Sequence, residues 1–231
     1  MNNAAKRFKQ IKAHFEYEAK RFDKMFFKVA PYYKEAITVL ISALPFKSGD
    51  KPRVIDLGCG TGNITKALMR RYPGASVVCI DLAEKMLELA RTKLKRHKNI
   101  EYWSGDMRKY RYRGKYDAII SSLVLHHVDK RGKGQFYKKI FNSLKKGGVF
   151  YAADFVLPPN SYLSRLYTEQ WKKFMSKNLN SSQIRDILTR HKDEDKPADI
   201  VFELDSLRAA GFSDVEVVWK RYNFAVYGAS K

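Results

Sequence analysis

The residues that could do chemistry come in a series, each at or near the end of a short apolar run. The first run, Val54-Ile55-Asp56-Leu57, carries an acid and opens into Gly58-Cys59-Gly60-Thr61-Gly62-Asn63. Glycine lets a backbone turn sharply and lets a ligand approach without meeting a Cβ. A helix-like pattern follows at Ile64, Ala67 and Leu68, and the first amides of a helix are unpaired donors. Strand, glycine loop and helix in that order hold a nucleotide-like ligand at the carboxyl edge of a parallel sheet. The dinucleotide fingerprint G-x-G-x-x-G seats a pyrophosphate at the helix start. Here the third glycine comes one residue early, and Asn63 takes the fingerprint's last position. Asp56, two residues before Gly58, would repel a pyrophosphate and suits a cationic ligand.

Three more runs end in polar groups. Ser76-Val77-Val78-Cys79-Ile80 ends in Asp81, followed by Leu82 and, one helical turn on, Met86. Asp81 lies about 20 residues beyond the glycines, where a nucleotide fold places its ribose-binding acid; it could equally cap the helix that follows. Ile100–Ser104 leads into Gly105-Asp106-Met107, and Tyr116–Ser122 leads into Leu123-Val124-Leu125-His126-His127. Histidine is suited to proton transfer near neutral pH, so His127 and His126 are the catalytic candidates. A fifth run, Gly148–Ala153, ends in Asp154. His126, His127, Asp129 and Asp154 match no common metal-ligand spacing. Adjacent histidines do not face one site on a regular element, so no metal is expected.

Strand, loop and helix must alternate to position such a series, which predicts an α/β sheet with its polar groups along one edge. The Asp56-x-Gly58-x-Gly60-x-Gly62 pattern resembles motif I of the class I S-adenosylmethionine (SAM) dependent methyltransferases. The later runs, and the Leu144-Lys145-Lys146-Gly147-Gly148 turn before strand five, fall in that family's order. The resemblance implies a Rossmann-like three-layer sandwich: a mostly parallel seven-stranded sheet with an antiparallel last strand, an N-terminal helical lid and a helical cap. It also implies that Asp56, Gly58, Cys59, Gly60, Gly62 and Asn63 surround the methionine part of SAM. Asp81 with Leu82 would take the ribose, and Asp106 with Met107 the adenine, near Met86. Ser122, at the exit of strand four, belongs to the same set. Glycine after a helix suggests a left-handed cap at Gly147-Gly148.

Residues 1–50 precede the core (51–154). Phe8, Ile11, Phe15 and Phe22 recur at helical spacing, and Pro31 suggests a helix start. A lid over the SAM pocket would bring Tyr32 or Tyr33 near the methionine part and Tyr17 to the substrate. Residues 155–200 read as two helices, 161–177 and 181–191, ended by the charged run Lys192–Lys196 and Pro197. Leu166, Tyr167, Trp171 and Phe174 give the first of these an aromatic face, so Tyr167, Trp171 and Asp154 are substrate candidates. Residues 201–231 read as a helix stopped by Gly211 and a hairpin linked at Arg221. The ending Trp219-Lys220-Arg221-Tyr222-Asn223-Phe224 resembles small bacterial and archaeal methyltransferases grouped with wobble-uridine tRNA modifiers.

At 231 residues the chain fits one elaborated domain. No apolar run approaches the roughly 18 residues of a membrane span, and the N-terminus lacks an apolar signal core. Two cysteines, one in the glycine loop and one in strand two, argue against a disulfide framework and for a reducing, cytoplasmic setting. The net charge of +21 is the departure from the ordinary. Basic clusters at 91–98, 108–115 and 130–133, with Tyr110 and Tyr112 interleaved in the second, could bind phosphate backbones and stack bases. The leading expectation is methyl transfer from SAM to a small-molecule acceptor, by a monomer or homodimer. A tRNA-modifying methyltransferase, a SAM-binding protein without transfer, and an enzyme that remodels SAM itself are the alternatives.

Overall fold

The computed structural model describes the backbone of residues 3–231 and the side chains of residues 8–19 and 21–231. Two helices lead, α1 (Asn3–Val29) and α2 (Tyr33–Ser42). Strands and helices then alternate: β1 (Arg53–Leu57), α3 (Asn63–Arg71), β2 (Ser76–Asp81), α4 (Glu84–Lys93), β3 (Ile100–Ser104), β4 (Tyr116–Ser122), α5 (Lys130–Ser143) and β5 (Leu144–Phe155). Helices α6 (Ser161–Met175), α7 (Ser181–Glu194) and α8 (Ile200–Ala210) precede the hairpin β6 (Ser213–Arg221) and β7 (Phe224–Ser230).

The seven strands form one sheet in the order β3-β2-β1-β4-β5-β7-β6. β1 to β5 are parallel, and β7 runs antiparallel to both β5 and β6. Strands buried on both faces read as continuous apolar runs, and Val54, Ile55 and Leu57 are fully buried. One face packs on α2 and α3, the other on α5 and α8. The chain leaves β1 toward β2 on one side, while β4 lies on its other side. That reversal opens a crevice at the carboxyl ends of β1 and β4.

Side-chain caps fix where the helices begin. Asp129, Asn160 and Asp199 each accept the N–H three residues on, and Asn180 with Gln183 forms a reciprocal capping box on α7. Across the lower face, Lys133 of α5 pairs with Glu203 of α8, both buried, and Glu203 also accepts the Tyr137 hydroxyl at 2.5 Å.

Local readings differ in three places. The hairpin turns at Tyr222-Asn223, with Tyr222 at φ 53°, so Arg221 ends β6 and is not the link. α5 ends without a glycine cap: Leu144 is already extended, and the Gly147 N–H donates to the Lys231 carbonyl at 2.8 Å within the start of β5. Pro31 lies before the cap residue Tyr32 of α2 and not in the first turn, because Tyr32 takes a left-handed conformation (φ 59°).

Candidate active site

The glycine loop crosses the crevice. A Cβ on Gly58, at φ 66°, would stand 2.5 Å from a Val124 methyl, so this position admits nothing larger. Gly60, at φ 52°, has open space where a Cβ would project. Its N–H donates to Oδ2 of Asp81 at 2.8 Å, and the Ala83 N–H donates to Oδ1 at 2.9 Å. Both oxygens keep lone pairs for a vicinal diol. Burial pushes the Asp81 carboxyl up to about 6, against the pull of these backbone donors. Beneath the loop, Asp56 is fully buried. Its Oδ2 accepts the Thr65 hydroxyl at 2.5 Å, while Oδ1 has no hydrogen-bond partner among the described residues. Burial pushes this carboxyl up to about 7. A buried acid with an unmatched oxygen fits a positively charged ligand above it.

α1 closes over the crevice and is held by two carboxylates. Glu16 accepts the N–H groups of Glu84 (2.9 Å) and Lys85 (3.2 Å), capping α4 from outside. Asp23 accepts the Thr61 hydroxyl (2.6 Å), the Asn63 amide (3.1 Å) and the Lys93 ammonium (2.7 Å). The result is a cleft of about 870 Å³ between loop and lid. Ser122 donates to the Tyr33 hydroxyl at its inner wall. At its outer end Arg108 grips Asp106 through Nη2 (2.6 Å) and Nε (2.9 Å), with its guanidinium 3.9 Å above the Phe8 ring.

A second cleft of about 950 Å³ adjoins the first. Phe15, Phe22, Phe26, Leu123 and His127 line both. Its polar wall is a 3-10 turn, Leu125–His127, facing the end of α7. Asp154 organises the turn: Oδ2 accepts the Leu125 N–H at 2.7 Å, and Oδ1 lies 2.5 Å from Nδ1 of His126. Oδ1 of Asp195 stands 3.2 Å from Nδ1 of His127 and 3.6 Å from Nε2 of His126; its Oδ2 is 2.6 Å from Nδ1 of His191. Burial disfavours a charge on His126, but Asp154 and Asp195 outweigh it and raise its pKa. Burial, and then the charge of His126, lowers that of His127. Burial opposes ionisation of Asp195, yet the three histidines hold its carboxyl far below the usual range. Trp171 closes this cleft, donating from Nε1 to the Val29 carbonyl at 2.7 Å.

Most of the expected residues converge. Gly58, Cys59, Gly60, Asn63, Asp81, Leu82, Met86, Asp106, Met107, Ser122, Tyr33 and His127 line the first cleft. His126 and Trp171 line the second. Asp56 lies below the loop, and Gly62 turns into α3 against Leu94. Asp154 sits behind His126. Tyr32 lies under the Arg221 guanidinium, Tyr167 packs on Tyr222, and Tyr17 is 79% exposed. Asp129 caps α5, its carboxylate accepting the Gly132 N–H, and is not among the groups that cluster with His126 and His127. Tyr110 packs on both Tyr112 and Trp103, and the Lys139 ammonium lies over the Tyr112 ring. Sequence reading missed Glu16, Asp23, His191 and Asp195, whose only local signal was a polar residue on an otherwise ordinary helix.

The sheet order and the glycine loop are those of a nucleotide-binding α/β fold, and the chain belongs to the class I SAM-dependent methyltransferase family. The family described as Methyltransferase domain matches residues 54–148. A carboxy-S-adenosyl-L-methionine synthase of Sulfurimonas denitrificans is 30% identical over 238 residues, covering 96% of this chain and 97% of the relative. A malonyl-[acyl-carrier protein] O-methyltransferase of Acetivibrio thermocellus is 32% identical over 141 residues, covering 61% of this chain and 47% of that protein. The fold is shared with a structure described as PigF with SAH, at a TM-score of 0.66 and 19% identity, over 97% of this chain and 62% of that one. SAM is the cosubstrate, and the protein is an enzyme of the methyltransferase class. Among the described residues, no helix is long and apolar enough to cross a membrane.

Proposed function

We propose that the first cleft binds SAM, that the second binds a small acceptor molecule, and that the methyl group passes between them at His127. The observation carrying this reading is the shared wall: one set of side chains bounds both clefts. Bound SAM supplies a methyl group already activated as an electrophile by its sulfonium. The chain's task is to hold a nucleophile against that carbon and to keep water out. Alignment of two reactants supplies up to roughly 7–11 kcal/mol. Asp81 and the Gly60 region fix one partner. Phe15, Phe22 and Phe26 give the junction an apolar lining, and the His126–His127–Asp195 wall is the polar surface against which an acceptor's functional group docks.

Asp56, Gly62 and Asp106 keep their expected places in the SAM site under this reading. Asp56 acts from below the loop, and Asp106 serves the adenine once it shares its oxygens with Arg108. Trp171 bounds the acceptor cleft.

A second reading rests on the span of the S. denitrificans relative, which matches this chain almost end to end. Under it, the second cleft holds a carboxyl donor and the product is a carboxylated SAM. The two readings separate by mass spectrometry of reactions with SAM and pooled small acceptors. Methyl transfer yields S-adenosylhomocysteine and a methylated acceptor. Remodelling yields a heavier sulfonium nucleoside and no S-adenosylhomocysteine. RNA supplied in place of small acceptors yields neither product under either reading.

A further inference from the structure

Side chains from two separate elements converge on one carboxylate in the wall of the second cleft. The 3-10 turn contributes His126 and His127, and the end of α7 contributes Asp195 and His191. The backbone holds the two elements together: the Lys196 N–H donates to the His126 carbonyl at 2.7 Å. Asp195 is thereby placed against the turn independently of its side-chain contacts.

We propose that His126, His127 and Asp195 form a binding site for a divalent first-row transition-metal ion. One ligand atom from each lies within 4.8 Å of the other two. The nitrogen-to-oxygen separations of 3.2 and 3.6 Å bracket the edge of roughly 3.3 Å set by tetrahedral bonds of about 2.0–2.1 Å. On a regular helix or strand, adjacent histidines would diverge. The 3-10 turn instead brings their ring centroids to 4.3 Å with a 57° tilt.

The surroundings are those of a ligand set. Asp154 engages Nδ1 of His126, which leaves Nε2 directed at Asp195. A carboxylate behind a coordinating imidazole fixes its tautomer and raises its basicity. His191 holds the other oxygen of Asp195 in the same way. Two imidazoles and one carboxylate suit zinc, iron(II), cobalt or nickel, whereas magnesium and calcium favour all-oxygen sites. Three protein ligands leave coordination open toward the cleft. The inference rests on the second cleft being the acceptor site, and it names the acceptor's class: a molecule with an oxygen donor, such as an alcohol, phenol or carboxylate. The competing account is a hydrogen-bonded cluster complete without an ion.

The experiment is titration of chelator-treated full-length protein with Co(II), followed by visible ligand-field absorption and by elemental analysis after desalting. One ion per chain is expected. Asp195→Asn and His127→Ala should each weaken uptake by at least about tenfold, while His97→Ala, in the loop after α4, should leave it unchanged. SAM calorimetry on the same variants checks the fold, since Asp195 lies outside the first cleft; His127→Ala decides the matter if Asp195→Asn fails to fold. No uptake by the wild-type protein, or uptake unaffected by both substitutions, overturns the ion site. Either result leaves the acceptor cleft standing, which fails separately if no small molecule is turned over.

Discussion

The Thr61 hydroxyl donates to Oδ1 of Asp23 at 2.6 Å, so the glycine loop and the lid helix share a hydrogen bond. Asn63 and Lys93 close on the same carboxylate. The lid is thus tied to the glycine loop of the proposed SAM site, not only packed above it. Asp23→Ala should weaken SAM affinity by about 3–10-fold, through loss of charge-assisted but partly solvated hydrogen bonds. Calorimetry of SAM binding, with far-ultraviolet dichroism to confirm the fold, checks this.

His127 bounds both clefts, whereas the proposed site has Asp81 and the glycine loop, joined by the Gly60 N–H, hold SAM. His127→Ala should leave SAM affinity within about threefold, while lowering turnover by on the order of 10²-fold or more. The comparison of KM for SAM with kcat, once an acceptor is found, reads the two effects apart.

The acid under the loop sets a pH dependence of stability. Burial raises the folded pKa of Asp56 from 3.8 to about 7, so the folded state binds a proton more tightly than the unfolded state. For such a group, stability is greatest below the unfolded value and falls as pH rises through the window between the two. Asp56→Asn removes this loss. Without SAM, the variant should gain on the order of 2–3 kcal/mol over wild type between pH 5 and pH 8. Denaturant unfolding at these two pH values measures it.

Lys133 and Glu203 form a buried pair that joins α5 to α8. Lys133→Met strands the Glu203 charge and should cost about 3–5 kcal/mol. Replacing both, Lys133→Met with Glu203→Leu, should recover much of that loss. Urea unfolding of the single and double variants gives the comparison.

The half of the candidate site proposed for SAM was legible because its signals are local. A glycine loop after a strand, an acid ending the next strand and a Gly-Asp exit after the third each declare themselves within a few residues. The half proposed for the acceptor is built from long-range contacts. Asp195 sits in the run Lys192–Lys196, which by composition is a solvated helix end; His191 is its neighbour on α7, but only the return of the chain to the His126 carbonyl sets it against the histidine turn. Glu16 and Asp23 are similarly plain on α1 until α4 and the loop pack beside them. Tyr33 and Trp171 line the clefts, but three other aromatic candidates do not. Tyr17, Tyr32 and Tyr167 have the right chemistry for a pocket, but the helix face or backbone turn directs each elsewhere. The adjacent histidines converge because a 3-10 turn replaces the regular geometry on which the expectation of no shared site depended.

The most direct test of the account is calorimetric titration of SAM into wild type, Asp81→Ala and Gly60→Val. Asp81 is held by two backbone donors at the cleft, and Gly60 faces open space at a positive φ. The wild type should bind one SAM per chain. Both variants should remain folded and lose binding by 100-fold or more, about 2.7 kcal/mol. Unchanged affinity in both variants would contradict the placement of SAM in this cleft, and with it the two-cleft account of methyl transfer.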